Sequence, residues 1–277
     1  MCKLRGKLKK GPRTGDVAAV GDWVRVSQVD EKTGVIEEIE PRQRMFVRMA
    51  PKPQGMYQQI LVSNPDQVAV VFACAEPEPR LGMLDRYLVI AEKQDVPPLI
   101  VANKVDLVGL DFAEQIFGHY AEIGYAVIYT SAKSGWGVDE LIACLTGKVS
   151  LLTGPSGAGK SSLLNFMQPG LGLAVRGVSQ ATSKGRHTTV FREMFPLQEG
   201  GYVVDTPGLK ALALWDIEPE ELDAYFPELR SLVEHCQFSD CTHVHEPGCA
   251  VIAAVESGLI HPLRYESYLR MRFSEQD

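Results

Sequence analysis

Residues 149–166 read VSLLTGPSGAGKSSLLNF. The apolar run at 149–153 predicts a buried strand, and the apolar residues after the glycine-rich loop at 154–162 have helical spacing. Four residues of the loop fit the pattern G-x-x-x-x-G-K-[ST]: Gly154, Gly159, Lys160 and Ser161. The glycines let successive backbone N–H groups turn toward one anion, and the following helix adds the positive end of its dipole. This stretch predicts a phosphate-binding loop between a strand and a helix.

The loop residues have expected tasks in binding a nucleoside triphosphate. Lys160 is expected to reach the β- and γ-phosphates, and the Ser161 hydroxyl is expected to hold Mg²⁺. The other loop residues expected to contact the nucleotide are Pro155, Ser156, Gly157, Ala158 and Ser162. A glycine loop that matches by chance is the alternative, and the strand before it and the helix after it argue against that. The loop by itself does not specify the base.

Strands and helices alternate on both sides of this loop. Apolar stretches typical of strands occur at residues 67–73, 98–102, 125–130, 149–153, 189–196 and 201–204. Stretches with helical spacing lie between them at residues 81–93, 112–123 and 138–145. The alternation predicts a doubly wound α/β domain with a mixed, mostly parallel sheet at residues 64–217. Ligands of such domains bind at the carboxyl ends of the strands.

The motif NKVD at residues 103–106 indicates which base is bound. The Asp106 carboxylate can accept two hydrogen bonds from the N1–H and N2–H₂ edge of guanine, and adenine has no such donor pair. Asn103 is expected to contact the ring of the base and to help tie the loops together, and the Lys104 stem is expected to lie on the base. The end of the next strand is expected to contact guanine O6 through Ser131, Ala132 and Lys133. Together the motifs predict GTP, and an ATP-using enzyme or kinase is the alternative.

Two further motifs predict switch segments. DTPG at residues 205–208 follows a strand, so Asp205 is expected to hold Mg²⁺ through a water and the Gly208 N–H to sense the γ-phosphate. In the upstream segment KGRHTT, Thr189 is favoured over Thr188 as the residue that closes on Mg²⁺. The magnesium ligands expected with GTP are therefore Ser161, Thr189 and Asp205.

The residue after DTPG bears on catalysis. It is Leu209, whereas many GTPases carry a glutamine there that orients the attacking water. Intrinsic hydrolysis is therefore expected to be slow. The catalytic candidates in this chain are His187 and Thr189, and the RNA of a partner is the alternative source of the missing group. An ordinary switch-loop histidine fits His187 equally well.

The order of these motifs along the chain is unusual. A GTPase usually runs from the phosphate loop through the switch threonine and DxxG to NKxD and SAK. Here NKxD and SAK precede the phosphate loop. The order predicts a circularly permuted GTPase domain, in which the sheet is kept and only the connections differ.

Residues 1–63 have the pattern of a small antiparallel barrel. Short alternating strands are predicted at residues 2–9, 22–29, 33–40, 45–49 and 59–62. An OB-like barrel is the first candidate and an SH3-like barrel the second, since strand count does not separate them. Residues 50–57, which contain two prolines and a glycine, are expected to form a mobile linker.

The charge of this N-terminal region indicates its partner. Residues 1–52 hold 12 lysines and arginines against 7 acidic residues, although the whole chain has a net charge of −7. The first 13 residues carry six bases and no acid. A basic module on an acidic body predicts binding to a polyanion such as RNA, and a solvated tail is the alternative.

Residues 218–277 are predicted to form a helical module around a metal. Helical spacing occurs at residues 218–233, 247–257 and 262–273. The metal ligands expected in the loop after the first helix and at the start of the second are Cys236, Cys241, His243 and Cys249. Three thiolates and one imidazole suit a single tetrahedral, structural zinc ion. His245 could replace His243, and free buried cysteines that cluster by coincidence are the alternative.

The whole chain has the composition of a globular protein. No run approaches the 18 or so apolar residues of a membrane span, and no apolar stretch follows the basic N-terminus as in a secretory signal. Three of the six cysteines are scattered, and the other three cluster with histidines at metal spacing rather than in a disulfide framework. A cytoplasmic monomer without a membrane partner is expected.

A basic barrel, a permuted GTPase with GRHTT at residues 185–189, and a C-terminal cysteine–histidine cluster together resemble the RsgA (YjeQ) family. The resemblance covers essentially the whole chain. It implies binding to the small ribosomal subunit and its rRNA, a role in late maturation of that subunit, and weak GTP hydrolysis that the subunit stimulates. A GTP-dependent factor acting on a protein or on tRNA is the alternative.

Overall fold

The N-terminal strands form a sheet and a separate hairpin. The computed structural model describes residues 2–9, 16–52, 55–172, 193–205 and 217–273. The three-stranded sheet contains β1 (Cys2–Leu4), β2 (Val24–Gln28) and β3 (Gly34–Ile39), with β1 parallel and β2 antiparallel to β3. The hairpin contains β4 (Met45–Lys52) and β5 (Gly55–Ser63). Within the described ranges no strand pairing joins the sheet to the hairpin, so the OB-like closure stays a prediction.

The hairpin corrects the linker predicted at residues 50–57. The strand pairing extends into this segment, with Pro51 opposite Met56 and Lys52 opposite Gly55. Among the described strands β4 pairs only with β5, and an edge strand of this kind tolerates a proline. The linker prediction is wrong because proline and glycine also occur where a hairpin ends.

The central sheet follows directly. Its strands and helices are β6 (Gln67–Ala73), α1 (Leu81–Lys93), β7 (Pro98–Asn103), α2 (Leu110–Ile123), β8 (Ala126–Thr130), α3 (Val138–Leu145), β9 (Val149–Thr153), α4 (Lys160–Met167), β10 (Glu193–Pro196) and β11 (Tyr202–Asp205). The spatial strand order is β10-β11-β9-β6-β7-β8. Only the pair of β10 and β11 is antiparallel, which confirms the predicted mixed, mostly parallel sheet.

Helices cover both faces of this sheet. Along β6, Val70 and Phe72 belong to an apolar cluster that includes Phe117 of α2. Ala69 and Val71 belong to a second cluster, with residues of α3 and α4. Because successive side chains point to opposite faces, a strand between two helix layers is apolar throughout. Because the neighbouring strands β11, β9, β6, β7 and β8 run parallel, their carboxyl ends lie along one edge of the sheet, which is where a ligand would bind.

The C-terminal segment departs from the predicted long helix at residues 218–233. The chain instead forms a 3₁₀ helix (Pro219–Tyr225), a short α5 (Pro227–Arg230) and a second 3₁₀ turn (Val233–His235). Pro227 explains the break, because a proline has no N–H to donate and its ring clashes with the preceding turn of a helix. The later helices are close to prediction, with α6 at Ala250–Glu256 and α7 at Pro262–Arg272. None of the helices in the described ranges has both the length and the apolar character to cross a membrane.

A buried ion pair attaches the C-terminal segment to α1. Arg264 of α7 donates from Nη1 to Asp85 Oδ1 at 2.6 Å and from Nε to Glu228 Oε1 at 2.7 Å. The Tyr120 hydroxyl also donates to Asp85 Oδ1, at 2.7 Å. Arg264 and Asp85 are both fully buried. Removing one partner would leave the other as an uncompensated buried charge.

Replacing Arg264 with methionine is expected to lower the free energy of unfolding by about 3–5 kcal/mol, because Asp85 would remain buried without its partner. Urea unfolding followed by circular dichroism measures this loss. The matched control is Arg270→Met on the same helix, where the partner Glu266 is exposed and the cost should stay below about 1 kcal/mol. A loss for R264M no larger than that of the control would show that the ion pair does not hold the segment.

Candidate functional site

The phosphate-loop candidate turns sharply between β9 and α4. Gly154 and Gly159 have φ values of 132° and 95°. A Cβ on Gly154 would lie 2.1 Å from the Val71 carbonyl oxygen, and one on Gly159 would lie 2.2 Å from Asn103 Nδ2. Both positions therefore need glycine for their backbone angles and for the space around them.

Lys160 points into the loop. Its Nζ donates to the carbonyl oxygens of Gly154 at 2.7 Å and Pro155 at 2.8 Å. Burial lowers the pKa of the Lys160 ammonium, and the nearby Asp205 carboxylate opposes that shift. The ammonium is thus held by the backbone oxygens of the first two residues of the loop.

Asp205 lies at the same edge of the sheet. It is the last residue of β11 and pairs in register with Leu152 of β9, one residue before that strand ends. Ser161 lies in the first turn of α4. The structure thus brings Lys160, Ser161 and Asp205 to one end of two neighbouring parallel strands. An oxygen set of a hydroxyl and a carboxylate near a phosphate site suits Mg²⁺.

Asn103 connects this loop to the loops after β7 and β8. Its Nδ2 donates to the Ala158 carbonyl oxygen at 2.9 Å. Its Oδ1 accepts from Thr130 Oγ1 at 3.1 Å and from the Ala132 N–H at 3.2 Å. Asn103 is only 1% exposed. One side chain therefore fixes three chain segments against each other.

Asp106 is held by the SAK segment. Ser131 Oγ donates to Asp106 Oδ1 at 2.6 Å, and Lys133 Nζ lies 4.0 Å from Oδ2. The Asp106 side chain is 21% exposed, so its carboxylate can still be reached. Lys104 adopts a left-handed backbone with φ 68° and donates from Nζ to the carbonyl oxygen of Glu76. The contact with Glu76 has no sequence signal, because it joins Lys104 to a different loop.

Three predicted site residues lie outside the described ranges: His187, Thr189 and Gly208. The same holds for Leu209, the residue at the usual glutamine position. Their expected roles in catalysis and in sensing the γ-phosphate stay predictions.

The four predicted metal ligands come together in the C-terminal segment. One ligand atom from each of Cys236, Cys241, His243 and Cys249 lies within 4.8 Å of all the others. His243 Nδ1 is 3.4 Å from Cys249 Sγ and 3.6 Å from Cys236 Sγ. His245 is exposed and is not part of this cluster. Of the two alternatives, His243 is therefore the residue in position to bind a metal.

The chemistry of the cluster fits a thiophilic cation. Burial raises the pKa of the Cys241 thiol to about 12, so a thiolate there requires a cation beside it. Three sulfurs and one imidazole nitrogen are the donor set of a closed tetrahedral site.

Two acidic residues support the cluster and were not predicted. The Glu246 carboxylate accepts from the backbone N–H groups of Thr242 at 2.7 Å and Val244 at 2.9 Å. Although desolvation acts in the opposite direction, such hydrogen bonds lower the pKa of Glu246. Asp223 Oδ2 lies 3.2 Å from His243 Nε2. Glu246 follows the His-x-His motif and could have been suspected, whereas Asp223 lies 20 residues from His243 and gives no sequence signal.

Known proteins resemble this chain in sequence. The family model for the RsgA GTPase matches residues 39–215. The chain is 45% identical over 272 residues to "Small ribosomal subunit biogenesis GTPase RsgA" of Gemmatimonas aurantiaca, a match that covers 97% of this chain and 88% of that protein. It is 44% identical over 268 residues to the protein of the same name from Moorella thermoacetica, covering 97% of this chain and 87% of the relative.

Solved structures resemble it as well. YjeQ from Thermotoga maritima superposes with a TM-score of 0.76 at 39% identity, over 99% of this chain and 88% of that one. YloQ, described as a circularly permuted GTPase, superposes with a TM-score of 0.72 at 33% identity, over 99% of this chain and 85% of that one. Because the matches in sequence and structure extend over nearly the whole chain, the chain belongs to the RsgA GTPase family.

Proposed function

We propose that this protein hydrolyses GTP and acts in late maturation of the small ribosomal subunit, with a low activity that the subunit stimulates. The observation that carries the GTP part is the Asn103 side chain, which fixes the loop bearing Lys160 against the loops bearing Asp106 and Ser131. The names of the relatives support the ribosomal part, since they describe small-subunit biogenesis.

The site residues have distinct proposed tasks. Lys160 and the backbone N–H groups of the loop bind the phosphates, and Asp106 accepts from the guanine edge. Ser161 and Asp205, together with Thr189, would hold Mg²⁺, which neutralises charge that develops on the phosphate oxygens when it is bound. The residues proposed to contact GTP are Asn103, Lys104, Asp106, Ser131 to Lys133, Gly154 to Ser162, Asp205 and Gly208.

Three parts are proposed to divide this work. Residues 1–63 form a basic, OB-like reader of rRNA, residues 64–217 form the GTPase domain, and residues 218–277 form a zinc module. The exposed side chains of Lys3 and Lys7 on the N-terminal segment support the first assignment. A charge-driven contact with rRNA weakens steeply as salt concentration rises.

Turnover of GTP is expected to rise at least about tenfold when purified small subunits are added, because the partner completes a site in which Leu209 cannot orient water. Phosphate release measures the rate, with large subunits as the control for added RNA and Lys160→Ala as the control for contaminating activity. The subunit concentration for half-maximal stimulation should increase with salt. Unchanged turnover with small subunits would reject the ribosomal role and favour a protein or tRNA target.

Asp106→Asn is expected to weaken GTP binding by at least about tenfold, because hydrogen bonds to a charged acceptor contribute about 1.5–3 kcal/mol. The same change should improve binding of xanthosine triphosphate, whose C2 carbonyl can accept from an amide. Calorimetric titration with GTP and with xanthosine triphosphate gives the two dissociation constants, and their ratio measures the change of base preference. Asp111→Asn, an exposed acid in the first turn of α2, is the matched control. Unaltered preference in D106N would contradict the assignment of the base.

We also infer that the cysteine–histidine cluster binds a single structural zinc ion. The observation behind it is the mutual approach of four soft and borderline donors in a mostly buried site. With four protein ligands no position stays open for a substrate, so the ion would hold the fold together.

His243→Ala is expected to release most of the zinc, whereas His245→Ala should retain it, because only the first side chain lies among the sulfurs. Elemental analysis of the two purified variants beside the unaltered chain measures the difference. Equal zinc contents in both variants would refute the ligand assignment. An unaltered protein nearly free of zinc would refute the metal itself.

A further inference from the structure

The His243 ring lies between the sulfur cluster and a carboxylate. Its Nδ1 faces the sulfurs of Cys249 and Cys236 at 3.4 and 3.6 Å. On the opposite side its Nε2 is 3.2 Å from Asp223 Oδ2. The His243 side chain is fully buried and that of Asp223 is 15% exposed. This carboxylate therefore contacts the one ring nitrogen that does not face the cluster.

The protonation of the ring follows from this arrangement. A histidine binds a metal through the lone pair of one nitrogen and carries its proton on the other. With Nδ1 directed at the sulfurs, the proton belongs on Nε2, which can donate it to Asp223. A carboxylate that accepts this hydrogen bond fixes the tautomer and the ring orientation.

We propose that Asp223 is the positioning residue of the metal site, holding His243 as an Nδ1 ligand. The inference rests on the zinc site proposed above and adds a residue to it. The backbone of His243 is fixed separately, by its left-handed φ of 61° and by the Tyr265 hydroxyl, which donates to its carbonyl oxygen at 2.5 Å. Those two features act on the backbone, whereas Asp223 contacts the ring itself.

The position of Asp223 also connects the metal site to the GTPase domain. It belongs to the 3₁₀ helix Pro219–Tyr225, in which Glu221 accepts from Lys93 of α1 at 2.8 Å. Leu222 of the same helix is buried in an apolar cluster that includes Val89 of α1. The helix that restrains the histidine is thus the one that packs on the GTPase domain.

The experiment compares zinc binding by the full-length chain and three variants. Asp223→Leu removes the acceptor at similar volume, and Asp223→Asn keeps an amide oxygen that can accept the Nε2 proton. Glu220→Ala is the matched control, because it removes an exposed acid from the same 3₁₀ helix. Competition with a chromophoric chelator gives the dissociation constant for zinc, and NMR of ¹⁵N-labelled histidine follows the ring N–H.

Asp223→Leu is expected to weaken zinc binding about 10–100-fold, with a smaller loss for Asp223→Asn and none for Glu220→Ala. The Nε2 proton of His243 should exchange slowly in the zinc-loaded protein and faster in D223L. Melting temperatures with and without zinc provide the structural comparison. We expect D223L to lower the melting temperature of the zinc-loaded protein and to leave that of the zinc-free protein unchanged.

Each contrary outcome has its own meaning. A D223L variant that binds zinc within about twofold of the unaltered chain would overturn the role of Asp223 while leaving the zinc site intact. An equal fall in melting temperature with and without zinc would also overturn it, because packing alone would then explain the effect. If the unaltered chain holds no zinc, the proposed metal site fails, and this inference fails with it.

Discussion

The hydrogen bond from Asn103 to the Ala158 carbonyl oxygen is the contact on which the geometry of the nucleotide site depends. Its two residues are 55 positions apart in the chain, and the loops that they join have exchanged their usual order. The order of the two loops along the chain therefore does not determine how they lie relative to each other. The parallel pairing of β9 with β6 and of β6 with β7 places the loops at one edge, and the buried amide then fixes their separation.

Permuting a chain preserves a site of this kind because the sheet, rather than the order of its connections, holds the loops. The close packing of these loops is visible at Gly159, where any Cβ would collide with Asn103 Nδ2. The contact requires the phosphate loop to approach the amide with no side chain between them. The site is thus a property of tertiary packing, which explains how it tolerates a change of chain order.

Helix α1 contacts both the N-terminal hairpin and the C-terminal segment. At its carboxyl end the Gln94 side chain accepts from the Val47 N–H at 2.7 Å and donates to the Val47 carbonyl oxygen at 3.2 Å, which anchors the N-terminal hairpin. On another side, Asp85 receives Arg264 from the C-terminal segment. Because the N-terminal hairpin and the C-terminal segment both contact α1, a displacement of either one would act on this helix, which lies beside β6.

The sequence predicted those features that depend on local periodicity. The bounds of β6 and α1 agree with the apolar pattern, since a strand buried on both faces and an amphipathic helix each have a distinct period. Strand partners in the N-terminal region could not be predicted, because alternation shows which residues share a face and says nothing about the parallel pairing of β1 with β3. The break at Pro227 had a local cause and was predictable. Asp223 was not, because a contact between distant segments exists only in the folded chain.

The candidate metal site and the apolar core of the C-terminal segment share residues. Cys241 and Cys249 belong to the same apolar cluster as Phe226 and Tyr268, and that cluster includes Val89 of α1. Two sulfurs of the candidate metal site are therefore also part of the hydrophobic core. Since burial disfavours a bare thiolate, the same packing that docks this segment on α1 also increases the need for a cation. A metal bound by these sulfurs would therefore favour docking of the segment, and docking would favour the metal, through the residues that the two processes share.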